Sequence, residues 1–258
     1  MTSKLLSRRA LLTAGTVGAG ALALAGAYRL LAPNYLQILE SAENATFAAQ
    51  RALLAGQPLA REFSAADMSP IFKANGTVLP EDPAYQALMA NDFADWRLKI
   101  DGMVANPASL TMADLKRLPQ RTQITRHDCV EGWSAIGKWT GPQLGPLLQS
   151  VGMAPNARFV VFHCADNLGG GNDGTGFYYE SVDLFDAFHP QTILAHTMND
   201  APLKVAHGAP LRLRVERQLG YKHAKYLMRI EVVDRLTHLG SGKGGFWEDR
   251  GYEWYAGI

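Results

Sequence analysis

The sequence predicts an α+β fold, and three observations point to it. Short stretches of apolar and polar residues alternate between Trp96 and Val233. Short capped helical stretches interrupt them irregularly rather than one per strand. No segment repeats, and no Pro/Gly/Ser linker is long enough to force a boundary. The elements follow in order. Leu36, Leu39, Phe47, Leu53 and Leu54 among polar residues predict an amphipathic helix over 33–60, within an N-terminal helical segment running to residue 66. The remaining chain, 67–258, reads as one domain. Its first part, 67–93, is rich in Pro, Gly, Asn and Asp and predicts an extended arm with a short helix around Ala84–Ala90. Trp96–Ile100 alternates like a strand, and Asp101-Gly102 reads as a turn. Thr111–Leu118 fits a short helix capped by Thr111 and closed by Pro119. Thr122–Val130 predicts a strand that delivers Cys129 at its end. Leu144–Val151 predicts a helix, Arg158–Phe162 a buried strand, Val182–Phe188 a short helix and Ile193–Thr197 a short strand. Strands then return at Leu211–Val215 and Tyr226–Val233.

Composition excludes several function classes. Charged residues are 19% and hydrophobic residues 47%, an ordinary globular balance rather than a disordered one. The formal net charge is +1, but Lys4, Arg8, Arg9 and Arg29 lie in residues 1–32 with no acid, so the remainder carries −3. No nucleic-acid surface is expected from such a body. Residues 1–32 read as an export signal: Arg8-Arg9, 19 uncharged residues from Ala10 to Tyr28, then small residues such as Ala25-Gly26-Ala27. Paired arginines point to the Tat route and a periplasmic destination. A retained membrane anchor is the alternative, although Gly15, Gly18, Gly20 and Gly26 weaken the hydrophobicity.

Arg126-His127-Asp128-Cys129-Val130-Glu131-Gly132-Trp133 is the most informative stretch. A cysteine at a strand end beside Arg126 and His127 predicts an electropositive setting that favours the thiolate, the metal-binding form. A small buried hydrophobe is the alternative. The spacing G-x-G-x-x-G from Gly169 to Gly174 suggests a dinucleotide site, but Thr175-Gly176-Phe177 does not start a helix, so a loop at the rim of the site is expected instead. Asp173, Tyr178 and Tyr179 are candidates to face a substrate. His163, His189, His196 and His238 lack metal-binding spacing. The aromatic, charged run Phe246–Tyr255 reads as a tail packed on the body or as a docking surface for an electron partner.

The run Cys129–Ser134 with Trp139-Thr140-Gly141 resembles the molybdenum-cysteine motif of the sulfite-oxidase family. Gly208-Ala209-Pro210-Leu211-Arg212 and Gly220–Tyr226 resemble its pterin-phosphate segment, and the similarity runs from about Asn75 to Val233. Within that family the likeness falls on bacterial periplasmic methionine-sulfoxide reductase catalytic subunits. The resemblance implies a sulfite-oxidase-type molybdopterin-binding fold, a molybdenum-molybdopterin (Mo-MPT) cofactor and Cys129 as the protein's ligand to the metal. It implies cofactor contacts from Asn75, Arg212, His223, Ala224 and Lys225. Cys164 stands where those reductases have a threonine and His207 where they have an asparagine, which changes hydrogen bonding to the pterin. A Cys129–Cys164 disulfide would remove the ligand and is not expected. Arg126 and His127 are expected to attract an oxyanion or polarise a sulfoxide oxygen. The implied reaction is oxygen-atom transfer, reducing a small-molecule or protein-bound sulfoxide with electrons from a separate haem protein at the membrane, since no C-x-x-C-H is present. Alternative readings are a sulfite-type dehydrogenase feeding a cytochrome, a nicotinamide dehydrogenase and a non-catalytic binding module.

Overall fold

A computed structural model of the protein describes residues 58–169 and 176–258, with isolated positions between 38 and 56. Residues 1–32, read above as an export signal, and residues 170–175 of the glycine loop, Asp173 included, lie outside the described residues. The chain divides into two units, Met1–Pro58 and Leu59–Ile258. In the first, Ile38, Ser41, Ala42, Ala45, Thr46 and Arg51–Leu53 are among the helical positions, and the Thr46 hydroxyl donates to the Ala42 carbonyl one turn back (2.8 Å). Residues 59–66 belong to the second unit, not to the helical segment. The Ala60 N–H donates to Gln191 Oε1 (2.8 Å), and the Phe63 N–H donates to the Ile124 carbonyl (2.9 Å).

The second unit runs α1 (Pro83–Ala90), β1 (Leu98–Gly102), β2 (Ala108–Leu110), α2 (Met112–Arg117), β3 (Gln120–Cys129), β4 (Trp133–Pro142) and α3 (Leu144–Ser150). It continues through β5 (Phe159–Asn167), β6 (Phe177–Asp183), α4 (Leu184–Ala187), β7 (Ile193–Ala195), β8 (Thr197–Met198), β9 (Ala201–Pro202), β10 (Arg212–Arg214) and β11 (Leu227–Val233). Local chemistry starts the helices. Asp82 accepts from the Tyr85 N–H (2.8 Å) with Pro83 as the first residue of α1. Thr111 and Asp114 cap α2 reciprocally, at 3.0 and 2.9 Å.

The strands form a five-stranded sheet, β2-β1-β11-β5-β6, a four-stranded sheet, β3-β4-β8-β9, and the pair β10-β7. Only β1 and β11 pair in parallel among the described strands. The fold is thus mixed α+β, as predicted. Asp101-Gly102, read as a turn, instead closes β1 against Glu231-Val232. Strands β4 and β6 add to the predicted set. The main core gathers Trp96, Leu98, Ile100, Phe162, Leu213, Leu227 and Ile230, and the Trp96 indole donates to the Leu227 carbonyl (3.0 Å). A second cluster packs Trp139 with Ile193, Ala195 and Leu203. Strands β3 and β4 pair over their full ten residues, from Gln120↔Pro142 to Cys129↔Trp133. The tight turn between them needs the positive φ of Gly132 (+85°), and it sets Cys129 at the hairpin tip.

Candidate active site

A cavity of about 280 Å³ opens beside that tip. Cys129, Val130 and Glu131 form one wall, and Asn75, Gly76 and Thr77 of the extended arm form another. Asp166, Leu168 and Tyr178 come from the β5 and β6 ends, Gly220, Tyr221, His223 and Lys225 from the segment before β11, and Trp247 and Tyr252 from the C-terminal residues.

Lys225 ties the arm to the cavity. Its Nζ donates to the carbonyls of Asn75 (2.6 Å), Thr77 (2.5 Å) and Ala206 (3.1 Å). Burial, helped by Arg212, pulls its pKa down to about 7, with Asp166 opposing. Asp166 is buried, its Oδ1 has no partner, and burial lifts its carboxyl to about 6 against the pull of Lys225. His223 Nε2 donates to the Gln218 carbonyl (3.0 Å), which leaves Nδ1 as an acceptor without a partner. Burial and then Arg214 hold His223 neutral.

Behind His223 sits His127, ring centroids 5.0 Å apart and nearly perpendicular. A guanidinium only donates, so His127 Nδ1 accepts from Arg214 (3.0 Å) and its Nε2 carries the hydrogen. Arg214 is in turn held by Glu216 (2.9 and 2.6 Å), and Glu216 accepts from Gln123 (2.8 Å). His127 therefore braces His223 and does not line the cavity. Gly220 makes room for it: a Cβ there would lie 2.7 Å from His127 Nε2.

Arg126 falls elsewhere. Period-two alternation along β3 turns Thr125, His127 and Cys129 inward and Arg126 outward, where it pairs with Asp128 (2.9 Å) beside a separate surface groove. The expected electropositive setting of the thiol is therefore corrected. Cys129 is nearly buried (8% exposed), and burial raises its pKa. The Glu131 backbone N–H lowers it, the Glu131 carboxylate raises it and Lys225 lowers it.

Of the other sequence candidates, Asn75, His223 and Lys225 line the cavity with Cys129, whereas Cys164, His207, Arg212 and Ala224 do not. Tyr178 also lines it, its hydroxyl donating to the Tyr221 carbonyl, but Tyr179 does not. Arg212 is fully buried, donates to the carbonyls of His207 (3.0 Å) and His223 (3.3 Å), and lies 5.0 Å over the Trp139 ring. It shapes the backbone that presents His223. His207 packs edge-on against Phe72 (5.9 Å) and burial, then Arg212, lowers it to about 4. Ala224 contributes its carbonyl to Leu213 (2.8 Å). Cys164 lies in the main core, opposite Leu227, and both cysteines are free. Thr77, Asp166, Trp247 and Tyr252 join the cavity without a sequence motif to announce them, and Tyr221 joins it from within the Gly220–Tyr226 segment. The tail's aromatic run is the one signal for Trp247 and Tyr252.

A family model described as "Oxidoreductase molybdopterin binding domain" matches residues 85–238, which span the cavity's Cys129, Asp166, His223 and Lys225. The chain belongs to this family. It is the sulfite-oxidase family of oxidoreductases, and the cofactor is molybdenum-molybdopterin. An Azospira oryzae protein named "Putative protein-methionine-sulfoxide reductase subunit YedZ1" is 41% identical over 166 residues, 64% of this chain and 57% of that one. The "Protein-methionine-sulfoxide reductase catalytic subunit MsrP" of Xanthomonas campestris pv. campestris is 32% identical over 164 residues, 60% of this chain and 50% of that one. The chain thus spans about half the length of the curated relatives it matches. The crystal structure of the sulfane dehydrogenase SoxCD from Paracoccus pantotrophus superposes with a TM-score of 0.49 at 24% identity, covering 55% of this chain and 39% of that one. The cavity fits the family's cofactor: it brings together a thiol, an ammonium and the buried, partnerless His223 Nδ1 and Asp166 Oδ1.

Proposed function

We propose that the protein reduces a sulfoxide to its thioether, methionine sulfoxide in exported proteins being the substrate class. The sulfur–oxygen bond breaks, the sulfoxide takes up two electrons and two protons, and the products are the thioether and one water. The observation that carries this reading is one cavity shared by Cys129 and Lys225, in a chain similar to proteins named as methionine-sulfoxide reductase subunits. The bound cofactor supplies two-electron oxygen-atom transfer. The protein's own residues do the rest. Cys129 would give its sulfur to the metal, and because burial raises the thiol's pKa, binding there would require release of its proton. Lys225 would lend its positive charge to the cofactor's phosphate, and that anion would return the depressed ammonium to its charged form. His223, braced by His127 and presented by Arg212, and Asp166 offer acceptors to pterin N–H groups. Asn75 closes the arm over the same end. Electrons come from a separate haem protein at the membrane, and Arg8-Arg9 directs export to the periplasm by the Tat route.

The test is a panel of substrates on molybdenum-loaded protein, with a reduced viologen dye as donor and ferricyanide as acceptor. Turnover of sulfoxides with the dye is expected. Oxidation of sulfite without any sulfoxide reduction would reverse the assignment. For export, cell fractionation should find wild type in the periplasm and Arg8→Lys/Arg9→Lys retained in the cytoplasm.

A further inference from the structure

The cavity has two unlike walls. Lys225, Asn75, Thr77 and Asp166 make the polar one, bound together through the Lys225 ammonium. The other is aromatic. Trp247 and Tyr252 are stacked, with centroids 5.4 Å apart and planes at 29°, and Tyr221 meets Tyr252 edge-on at 5.2 Å. Tyr252 on this side is 41% exposed, and Leu168, just past β5, is 40% exposed, so apolar surface reaches solvent at the cavity.

Trp247 and Tyr252 lie beyond residue 238, outside the family match. The segment carrying them is nevertheless firmly seated. Lys222 reaches Glu248 (2.6 Å), the Tyr179 hydroxyl donates to Asp249 (2.6 Å), the Tyr221 hydroxyl donates to the Glu253 carbonyl (2.7 Å), and the Trp254 indole donates to Ser181 (2.8 Å). A wall held this way costs a ligand little to order. A pterin with its phosphate seeks donors and acceptors, which the polar wall offers. A dialkyl sulfoxide has one polar end and two apolar arms, and a polarisable sulfur gains from aromatic contact.

We propose that Trp247 and Tyr252 are specificity-determining residues that receive the apolar arm of the sulfoxide substrate. This rests on the sulfoxide-reduction reading above. The wall therefore favours alkyl sulfoxides of methionine's length over dimethyl sulfoxide, because only the longer arm covers the aromatic faces. Glu248 and Lys222 act through the wall by holding it.

The experiment compares wild type, Trp247→Ala and Trp247→Phe, each loaded with molybdenum and assayed for metal and pterin content. Two quantities are read: the ratio of kcat/KM for N-acetylmethionine sulfoxide to that for dimethyl sulfoxide, and calorimetric binding of the unreactive N-acetylmethionine sulfone. Trp247→Ala should lower the ratio and weaken sulfone binding by about tenfold, the scale of losing an apolar contact at a selective site. Trp247→Phe should restore most of both. An unchanged ratio overturns the proposal, as does a loss of pterin in Trp247→Ala, which would assign the wall to the cofactor. If wild type reduces no sulfoxide but binds the sulfone through Trp247, the reaction reading falls and the apolar subsite stands. If it does neither, both fall.

Discussion

Replacing Lys222 by methionine is the sharpest test of how the cavity is built. Lys222 is 1% exposed and its Nζ lies 2.5 Å from Glu180 and 2.6 Å from Glu248, both as deeply buried. Burial alone would depress the ammonium, but the two carboxylates outweigh it and its pKa is raised. Burial pushes Glu180 well above the usual carboxylate range, with Lys222 opposing and Glu248 adding to the rise. Methionine nearly matches lysine in volume, so the variant leaves two buried acids without their cation rather than a void. Breaking such a buried arrangement costs about 3–5 kcal/mol. For a unit of this size each kcal/mol moves Tm by roughly 2–4 °C, so a fall of roughly 6–20 °C is expected. The sign with pH follows from the raised carboxyl. A folded-state pKa above the unfolded value of 4.5 contributes stability below that value and loses it as pH rises through the folded pKa. Without Lys222 the folded pKa rises further, so the variant should suffer more at pH 8 than at pH 5. Adding Glu248→Gln should recover part of the loss. Thermal and denaturant unfolding at both pH values provide the assay. A loss below about 1 kcal/mol at pH 8, or one that deepens toward pH 5, would refute the charge argument.

Three further outcomes are expected. Cys129→Ala should leave the fold intact but strip molybdenum to under about a tenth of the wild-type content, since one sulfur provides the protein's bond to the metal; metal analysis showing full retention would remove Cys129 from that role. Gly220→Ala puts a Cβ 2.7 Å from His127 Nε2 and 3.1 Å from the Asp128 carbonyl, an overpacking of about 1–3 kcal/mol. Lower pterin content and an unfolding shift should appear together, and a variant indistinguishable from wild type would mean the segment yields freely. Asp166, at about 6 in the folded protein against a usual 3.8, should make metal-free protein lose up to about 3 kcal/mol as pH rises from 4 to 7.5. In Asp166→Asn that part of the slope should vanish; denaturant titrations with identical slopes in both proteins would count against it.

Much of the fold is legible in alternation and capping. Thr111 with Asp114 announces α2, and the apolar alternation of Tyr226–Val233 announces β11. Strand β4 is hidden because Gly137, Gly141 and Pro142 are poor strand residues. The structure explains the glycines: a Cβ at Gly137 would press on the Phe72 ring, and one at Gly141 would run into the Leu194 carbonyl. Strand β6 is hidden by the glycine-rich stretch that precedes it. At the site, local motifs deliver Cys129, His223 and Lys225. Sequence neighbours mislead where strand geometry intervenes: Arg126 adjoins His127 in the chain, yet the pleat turns it to solvent. Asp166 carries no motif, and its importance comes only from the lysine and the arm that folding brings to it.

The placement of β11 between β1 and β5 has a consequence for biogenesis. The first strand of the central sheet has no parallel mate until residue 233 has left the ribosome, so β1 must wait, paired only to β2, while β3 to β10 are made. Because Trp247 and Tyr252 come later still in the chain, the aromatic side of the pocket is the last part of it to be made.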